Sequence, residues 1–449
     1  MSDLSELRKA ALEIFAEALR AVDARAAMRE AVSLEGPILG TLEKEFHFSS
    51  RPIYVVSIGK AALQMSLGLN DAIGEKISQG IITAPPQPAE HLLASRWQSF
   101  HGGHPLPNEA SLAAAQAVFD LIDRANAEAA LVIFLISGGG SAMIEWPINE
   151  QITLADLRKA NQLLVTCGAS IREINAVRSA MSAVKGGELA KRATLSNSVT
   201  FIVSDTNPGD EACVASGPTL SPSPNAPEPL EVIAHYRLEE SLPSSILRAI
   251  DAGKDATPQP GPQESPPYFV LLDNRSAIEA ATRKAGTLGF FTELAQDISE
   301  QPIGEGCDLL LSRLSSLGKN SETKTRGVCL ISGGEFSCPV SGKGIGGRNL
   351  ETVLRCAVKL AEGEEQAHHH TVVLSAGSDG IDGNSPSAGA IADESSVHRA
   401  RLRGLDPRSF LARSDSYSFF EQLNDAITTG PTGTNVRDIR ILLRSGSGT

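Results

Sequence analysis

Apolar positions in this chain follow two alternating rhythms. Short, nearly continuous apolar runs stand at 53–58, 80–83, 131–136, 199–204, 268–272, 327–331 and 371–375. Runs of this length, rich in β-branched residues and closed by small residues, predict strands buried on both faces. Between them apolar residues recur three and four apart, as over 110–125, 154–167, 276–288 and 350–361, which predicts helices packed along one side. The chain opens on such a helix. Asp3 and Glu6 make a capping box ahead of a stripe of Leu4, Leu7, Leu12, Phe15, Leu19 and Val22, the pattern of an amphipathic helix rather than a signal peptide. Strand–helix alternation predicts an α/β fold of parallel sheets covered by helices.

A length of 449 residues exceeds one ordinary core and suits two domains. Pro-rich stretches at 221–229 and 251–267 interrupt the alternation, the second carrying Pro258, Pro260, Pro262, Pro266 and Pro267. The expected division is a Rossmann-like domain over 1–240 and a second α/β domain over 241–449, with a linker or loop at about 251–267. Each domain is expected to be an α/β/α sandwich with a mostly parallel sheet, the two facing a shared cleft.

Composition narrows the partners. A net charge of −13 and only 4% aromatic residues disfavour nucleic acid and anionic membranes. No apolar stretch is long enough to span a bilayer. Six cysteines without a Cys-x-x-Cys pair predict reduced thiols and a cytoplasmic location.

The candidate chemistry lies at strand ends. The sequence Leu-Ile-Ser-Gly-Gly occurs twice, at 135–139 and 330–334, each time closing an apolar run. Glycine at such an edge lets main-chain N–H groups approach an anion. Lys60 follows the run ending Ile58-Gly59, placed for a phosphate or carboxylate, or else simply facing solvent. Ser137-Gly138-Gly139-Gly140-Ser141 can form an anion nest. Asn175, Arg178 and Lys185 are predicted on one face of a helix ending at Gly186, as a solvated basic face or a hinge. Asp205 and Asp210 follow a strand and are candidate Mg²⁺ ligands or turn-capping residues.

Ser332-Gly333-Gly334-Glu335 leads into Gly342, Gly344 and Gly347, a formal G-x-G-x-x-G lacking the expected ribose-binding acid. As a phosphate loop it is better, because Arg348 stands at a helix start. Asp379 and Asp382 suggest metal or hydroxyl binding, with a plain turn the stronger alternative for Asp382. Residues 429–435 read as a hairpin turn before a strand at 439–443. His101 and His104 lack a third metal ligand nearby. Neither a P-loop nor a protein-kinase motif set is present.

Together and in order, ten segments resemble the glycerate 2-kinase family, whose C-terminal half is known as the MOFRL domain. They are Ser57-Ile-Gly-Lys-Ala-Ala, Gly103-His-Pro-Leu-Pro, Ser137-Gly-Gly-Gly-Ser-Ala, Asn175-Ala-Val-Arg, Lys185-Gly-Gly, Ala215-Ser-Gly-Pro-Thr, Ser332-Gly-Gly-Glu, Gly346-Gly-Arg-Asn, Gly377-Ser-Asp-Gly-Ile-Asp-Gly and Gly430-Pro-Thr-Gly-Thr-Asn. The resemblance implies ATP- and Mg²⁺-dependent phosphorylation of D-glycerate at its 2-hydroxyl, with Lys60 and Arg348 catalytic. It implies substrate and phosphate contacts from Ser137, Gly138, Gly139, Gly140, Ser141, Asn175, Arg178, Lys185, Ser332, Gly333, Gly334, Glu335, Gly346, Gly347 and Asn349. Asp205, Asp210 and Asp379 are the expected metal ligands, and a homodimer is a further expectation. The alternatives are an NAD(P)H-dependent hydroxypyruvate reductase and a kinase for a related sugar acid.

Overall fold

In the computed structural model, residues 3–35, 38–41, 45–47, 51–194, 196–253, 266–320, 325–363 and 369–446 are described. Most of the Pro-rich stretch read as a linker, 254–265, lies outside them. The chain divides into two compact units, Ala24–Leu272 and Met1–Asp23 with Asp273–Thr449. The boundary therefore falls after the strand at 268–272 rather than at 240, and the N-terminal helix belongs with the C-terminal half. Both shifts have one cause, the burial of apolar faces: strand 268–272 pairs with the first sheet, and the first helix packs on the second.

The Ala24–Leu272 unit holds a small antiparallel sheet of β1 (Val32–Glu35), β2 (Ile38–Thr41) and β3 (Glu45–His47). Its main sheet has β4 (Ile53–Ile58), β5 (Ile77–Thr83), β6 (Trp97–Phe100), β7 (Leu131–Ser137), β8 (Asn197–Val203) and β9 (Tyr268–Leu272). The order is β6-β5-β4-β7-β8-β9, and every neighbouring pair is parallel. This is the doubly wound, Rossmann-like order, with its direction reversing between β4 and β7. Every residue of β4 and β7 is buried, as two covered faces require. Ala114, Val118 and Ile122 of helix Glu109–Ala127 pack on Tyr54, Val56, Val132 and Phe134. A separate helical cluster, including Leu157, Leu164, Val177, Ile233 and Ile246, is formed by helices that lie in sequence between β7 and β9.

The other unit is built on β10 (Phe290–Leu294), β11 (Gly327–Gly334), β12 (Thr371–Gly377), β13 (Gly389–Asp393), β14 (Ala426–Ile427) and β15 (Asp438–Ser445), ordered β10-β11-β15-β12-β13-β14. Only β10 and β11 run parallel, so the expectation of a mostly parallel second sheet is corrected to a mixed one. The cause is β15, which inserts antiparallel between β11 and β12. Residues 429–435 are accordingly not a hairpin turn. They connect the edge strand β14 to the central β15 past the ends of β13 and β12, with Thr432 Oγ1 donating to the Ser378 carbonyl.

Among the described residues no helix is long and apolar enough to cross a membrane. All six cysteines are unbridged.

The first helix is fixed by charge as well as by its apolar stripe. Arg8 donates to the buried carboxylates of Asp393 and Asp425, the second at 2.5 Å. Arg8→Ala leaves Asp393 and Asp425 short of a cation, while Arg399 stays paired with Asp425. A cost of about 2 kcal/mol is expected, below the full value of a buried pair because Arg8 is partly exposed. An unchanged urea-unfolding midpoint for this variant would remove Arg8 from the account of the fold.

Candidate functional site

In a sheet covered on both faces, polar ligands have access only at strand ends, above all where strand order reverses. In the Ala24–Leu272 unit that point carries the ends of β4 and β7, which are Lys60 and Ser137–Ser141. Gly59, at φ +113°, turns the chain where a Cβ would lie 2.2 Å from the Ser137 carbonyl oxygen. Lys60 N–H then donates to Gly138 O at 2.9 Å. Gly139 has φ +78°, and a Cβ there would lie only 3.0 Å from Lys60 Cγ, so its bare Cα leaves the bed for the lysine stem. Ser137 is fully buried, and its hydroxyl joins the two strand ends, donating to Ile58 O and accepting from Ala61 N–H at 3.0 Å. Ser141 Oγ meets Ser216 Oγ at 2.8 Å, and Ser216 Oγ donates to Asn175 Oδ1 at 2.8 Å. Ala215 and Ser216 both take positive φ, 51° and 61°, an uncommon pair for side-chain-bearing residues.

The helix carrying Asn175 ends at Ala180, not Gly186, and this corrects the expected basic face. Arg178 and Lys185 are both buried. Arg178 Nε donates to Asn161 Oδ1 at 2.8 Å. Lys185 Nζ lies 2.5 Å from Glu145 Oε2, and Ser182 Oγ donates to Glu145 Oε1 at 2.6 Å. Burial lowers the lysine's proton affinity and Glu145 restores part of it. Neither cation faces solvent. What Lys185 anchors is the following turn, where Gly186 and Gly187 N–H donate to the carbonyls of Ser216 and Gly217 at 3.1 and 2.7 Å. Asp205 sits just past β8, partly buried, and Asp210 is engaged by Arg172.

The second unit gathers its candidates around the start of β15. Being antiparallel, β15 brings Asp438 into register with Gly334 at the end of β11 and Gly377 at the end of β12. Arg348 Nε donates to Asp438 Oδ2 at 2.6 Å, and its Nη2 lies 2.7 Å from Glu335 Oε1. Burial alone would lower the arginine's pKa, but the two carboxylates raise it. Asp438 would be pushed up by burial, and Arg348 instead holds it below the usual range. Burial pushes Glu335 up, against the pull of Arg348. Asn349 Nδ2 donates to Asp438 Oδ1 at 2.8 Å, and its Oδ1 accepts from Ser375 Oγ. Asp379 stands beside them, its Oδ1 accepting from Ile381 N–H at 3.1 Å.

Two expectations for this region are overturned. The glycine-rich loop is not an open phosphate cradle. Side chains at Gly342, Gly344 and Gly346 would strike the Arg413–Ser416 turn, and one at Gly347 would strike Asp382. The N–H groups of Gly344, Ile345 and Gly346 already donate to Arg413 O, Asp415 Oδ1 and Asn384 Oδ1. The start of helix Arg348–Glu362 is likewise closed from within. Asp382 accepts from the N–H groups of Asn349 and Leu350 at 3.1 and 2.8 Å, so it is a helix cap rather than a plain turn residue. Ser332 mirrors Ser137: fully buried, it donates to Ile298 O and accepts from Arg440. Sequence reasoning missed Asp438, the capping role of Asp382 and the role of Ser216. The available signal for Asp438 was its place three residues beyond the Gly430–Asn435 segment.

Comparison with known proteins adds the family. Residues 10–251 match the model described as a domain of unknown function, DUF4147, and residues 328–438 match the MOFRL family. D-glycerate 2-kinase of Thermotoga maritima is 32% identical over 447 residues, covering 98% of this chain and 99% of its own. The chain belongs to the MOFRL-domain glycerate kinase family. A crystal structure of Thermotoga maritima glycerate kinase superposes with a TM-score of 0.80 at 31% identity, covering 98% of this chain and 99% of that one. A putative hydroxypyruvate reductase of Agrobacterium vitis is 34% identical, covering 87% of this chain and 86% of its own. Both family matches contain strand ends described above: Lys60, Ser137 and Ser216 in the first, Arg348, Asp382 and Asp438 in the second.

Mg²⁺ is the expected cation. Among the described residues no group of three or more His, Cys, Asp or Glu could hold one. Mg²⁺ bound with nucleotide needs only one or two carboxylates, the rest being phosphate oxygens and water. Asp205 and Asp379, hard oxygen donors just past strand ends, fit that requirement by type and place, and Asp210 pairs with Arg172.

Asp382 is the buried carboxyl whose titration can be followed. Burial raises its pKa to about 7, against the downward pull of the Leu350 N–H and with a further upward push from Asp438. A carboxyl raised in the folded state stabilises the fold fully below its unfolded pKa and loses that contribution as pH climbs through the folded value. Asp382→Asn, similar to the protonated form, should gain roughly 2–3 kcal/mol relative to wild type between pH 5 and pH 8. A stability difference that stays constant across that range, by urea unfolding, would show that Asp382 does not titrate there.

Proposed function

We propose that this protein transfers the γ-phosphoryl group of ATP to the 2-hydroxyl of D-glycerate, giving 2-phosphoglycerate, with Mg²⁺ bound to the nucleotide. The carrying observation is Lys60 at the reversal point of a doubly wound sheet, its stem resting over Gly139 beside the Ser137–Ser141 turn. Family membership over nearly the whole chain supports the same reading.

In this reaction the acceptor oxygen forms a bond to the γ-phosphorus, the bond to the β,γ-bridging oxygen breaks, and the hydroxyl proton leaves to solvent or a base. Little covalent chemistry falls to the protein, so positioning and electrostatics carry the rate. Lys60 places a compact, mobile charge against the transferring group. Arg348 offers a planar donor set to nucleotide phosphates. The Ser141–Ser216–Asn175 chain orders the acceptor side. Asp205 or Asp379 would hold Mg²⁺, which would supply positive charge against the phosphate oxygens.

The reductase reading gains nothing from the glycine-rich loop, whose glycines are accounted for by contact with the Arg413–Ser416 turn and Asp382. Coupled ADP release with D-glycerate, run beside NADH oxidation with hydroxypyruvate, separates the two activities. The expected result is ADP release dependent on glycerate and Mg²⁺, without NADH oxidation. Lys60→Ala should lower kcat by about 100-fold or more while ATP binding persists. Turnover at the wild-type rate in that variant would remove Lys60 from the mechanism.

A further inference from the structure

Arg348 is gripped by two carboxylates that differ in kind. Asp438 is the first residue of a central strand, and its side chain is only 3% exposed. It bonds Nε at 2.6 Å and Nη2 at 3.3 Å, and it is itself tied to Asn349 Nδ2. Asn349 is locked in turn by Ser375. Every link in this chain sits on a strand or in the first turn of a capped helix, so the inner edge of the guanidinium has little freedom. Glu335 lies just past the end of β11, and its side chain is 33% exposed. It holds only Nη2. Arg348 itself is 34% exposed, and its Nη1 has no hydrogen-bond partner among the described residues. The guanidinium thus has a fixed inner edge and an outer edge that faces an accessible carboxylate.

We propose that Asp438 is the positioning residue that orients Arg348, and that Glu335 is its exchangeable partner, replaced at the outer edge by an anionic phosphate oxygen of the nucleotide. The two carboxylates then do opposite things. A phosphate offers several acceptor oxygens in the plane that suits a guanidinium fork, whereas Glu335 offers one oxygen to one N–H. Exchange trades a single bond for a matched pair, and the guanidinium does not have to move, because Asp438 keeps it in place. Holding Arg348 between two carboxylates also keeps a cation at a partly buried position while no nucleotide is bound. The assignment rests on the kinase reading above only for the identity of the anion.

The test uses the full-length protein with tripolyphosphate and Mg-ATP as probes, read by titration calorimetry and by kinetics with D-glycerate. Asp438→Asn keeps the volume and one acceptor oxygen but sets an amide donor against Arg348. It should lower kcat by about 100-fold, the effect of a displacement near 1 Å, while leaving KM for glycerate unchanged. Asp438→Glu should not restore the rate, because the longer side chain moves the guanidinium. Glu335→Gln removes the competing charge and should tighten tripolyphosphate binding about two- to fivefold. Wild-type kcat in Asp438→Asn would overturn the positioning role. Weaker tripolyphosphate binding in Glu335→Gln would overturn the exchange, since Glu335 would then belong to the bound state. If Asp438→Asn does not fold, the Glu335→Gln titration still decides the exchange. Tripolyphosphate binding without glycerate-dependent ADP release would count against the kinase reading alone, because the binding measurements stand without turnover.

Discussion

A sheet buried on both faces leaves a polar ligand only its strand ends, and both units of this protein are arranged around that constraint. In the Ala24–Leu272 unit the order β6-β5-β4-β7-β8-β9 opens a gap in the helical cover between β4 and β7. Lys60 and Ser137–Ser141 are there because the chain has no other place to put them. In the second unit the same constraint meets an antiparallel intruder. Since β15 runs against β11 and β12, its first residue arrives where their last residues leave. One edge therefore receives side chains from three strands, and an acid from the far end of the sequence reaches the arginine at 348.

The repeated Leu-Ile-Ser-Gly-Gly does one structural job twice. Ser137 and Ser332 are fully buried, each bonding main-chain carbonyls or cationic groups of its own unit. Each works as a latch that stops a strand and fixes the direction of the loop beyond it. The glycines that follow serve close approach. Gly139 accommodates the stem of Lys60, and Gly333 lies where a Cβ would collide with Asn274. Arg440 completes the second latch. Its guanidinium carbon sits over Phe336, 3.6 Å from the ring centroid, with Nη1 donating to Gly333 O and Ser332 Oγ. Burial pulls its pKa down to about 10, which still leaves it charged at neutral pH.

Much of this was legible in the sequence, for a physical reason. Strands with both faces covered must be apolar throughout, so all seven predicted runs correspond to strands of the two sheets. The placement of Lys60 just past a strand and of Arg348 at a helix start was legible, because glycine beside each marks where an element ends or begins. Strand direction was not legible, because an apolar run reads the same whichever way it pairs. That blindness made the second sheet parallel on paper and turned 429–435 into a hairpin, and it hid Asp438. Burial of charge was the other gap. Arg178 and Lys185 look like a solvated face when listed by spacing, and only the partners Asn161 and Glu145, distant in sequence, reveal them as internal. Asp382 was read as a turn for the same reason, since capping a helix that begins 34 residues earlier leaves no local pattern.

The two cations are built for different tasks. Lys60 is a point charge on a flexible stem, supported from below by a glycine; such a group can follow a phosphoryl group whose charge shifts during transfer. Arg348 is a planar fork clamped along its inner edge by a buried acid, suited to an anion that must stay still. In a protein with a net charge of −13, neither can rely on a general attraction for polyanions. The local field has to be made by geometry: one cation kept adjustable by leaving out a side chain, the other kept rigid by supplying Asp438. Arginine in place of Lys60, or lysine in place of Arg348, would preserve the charge and lose the property that the position provides.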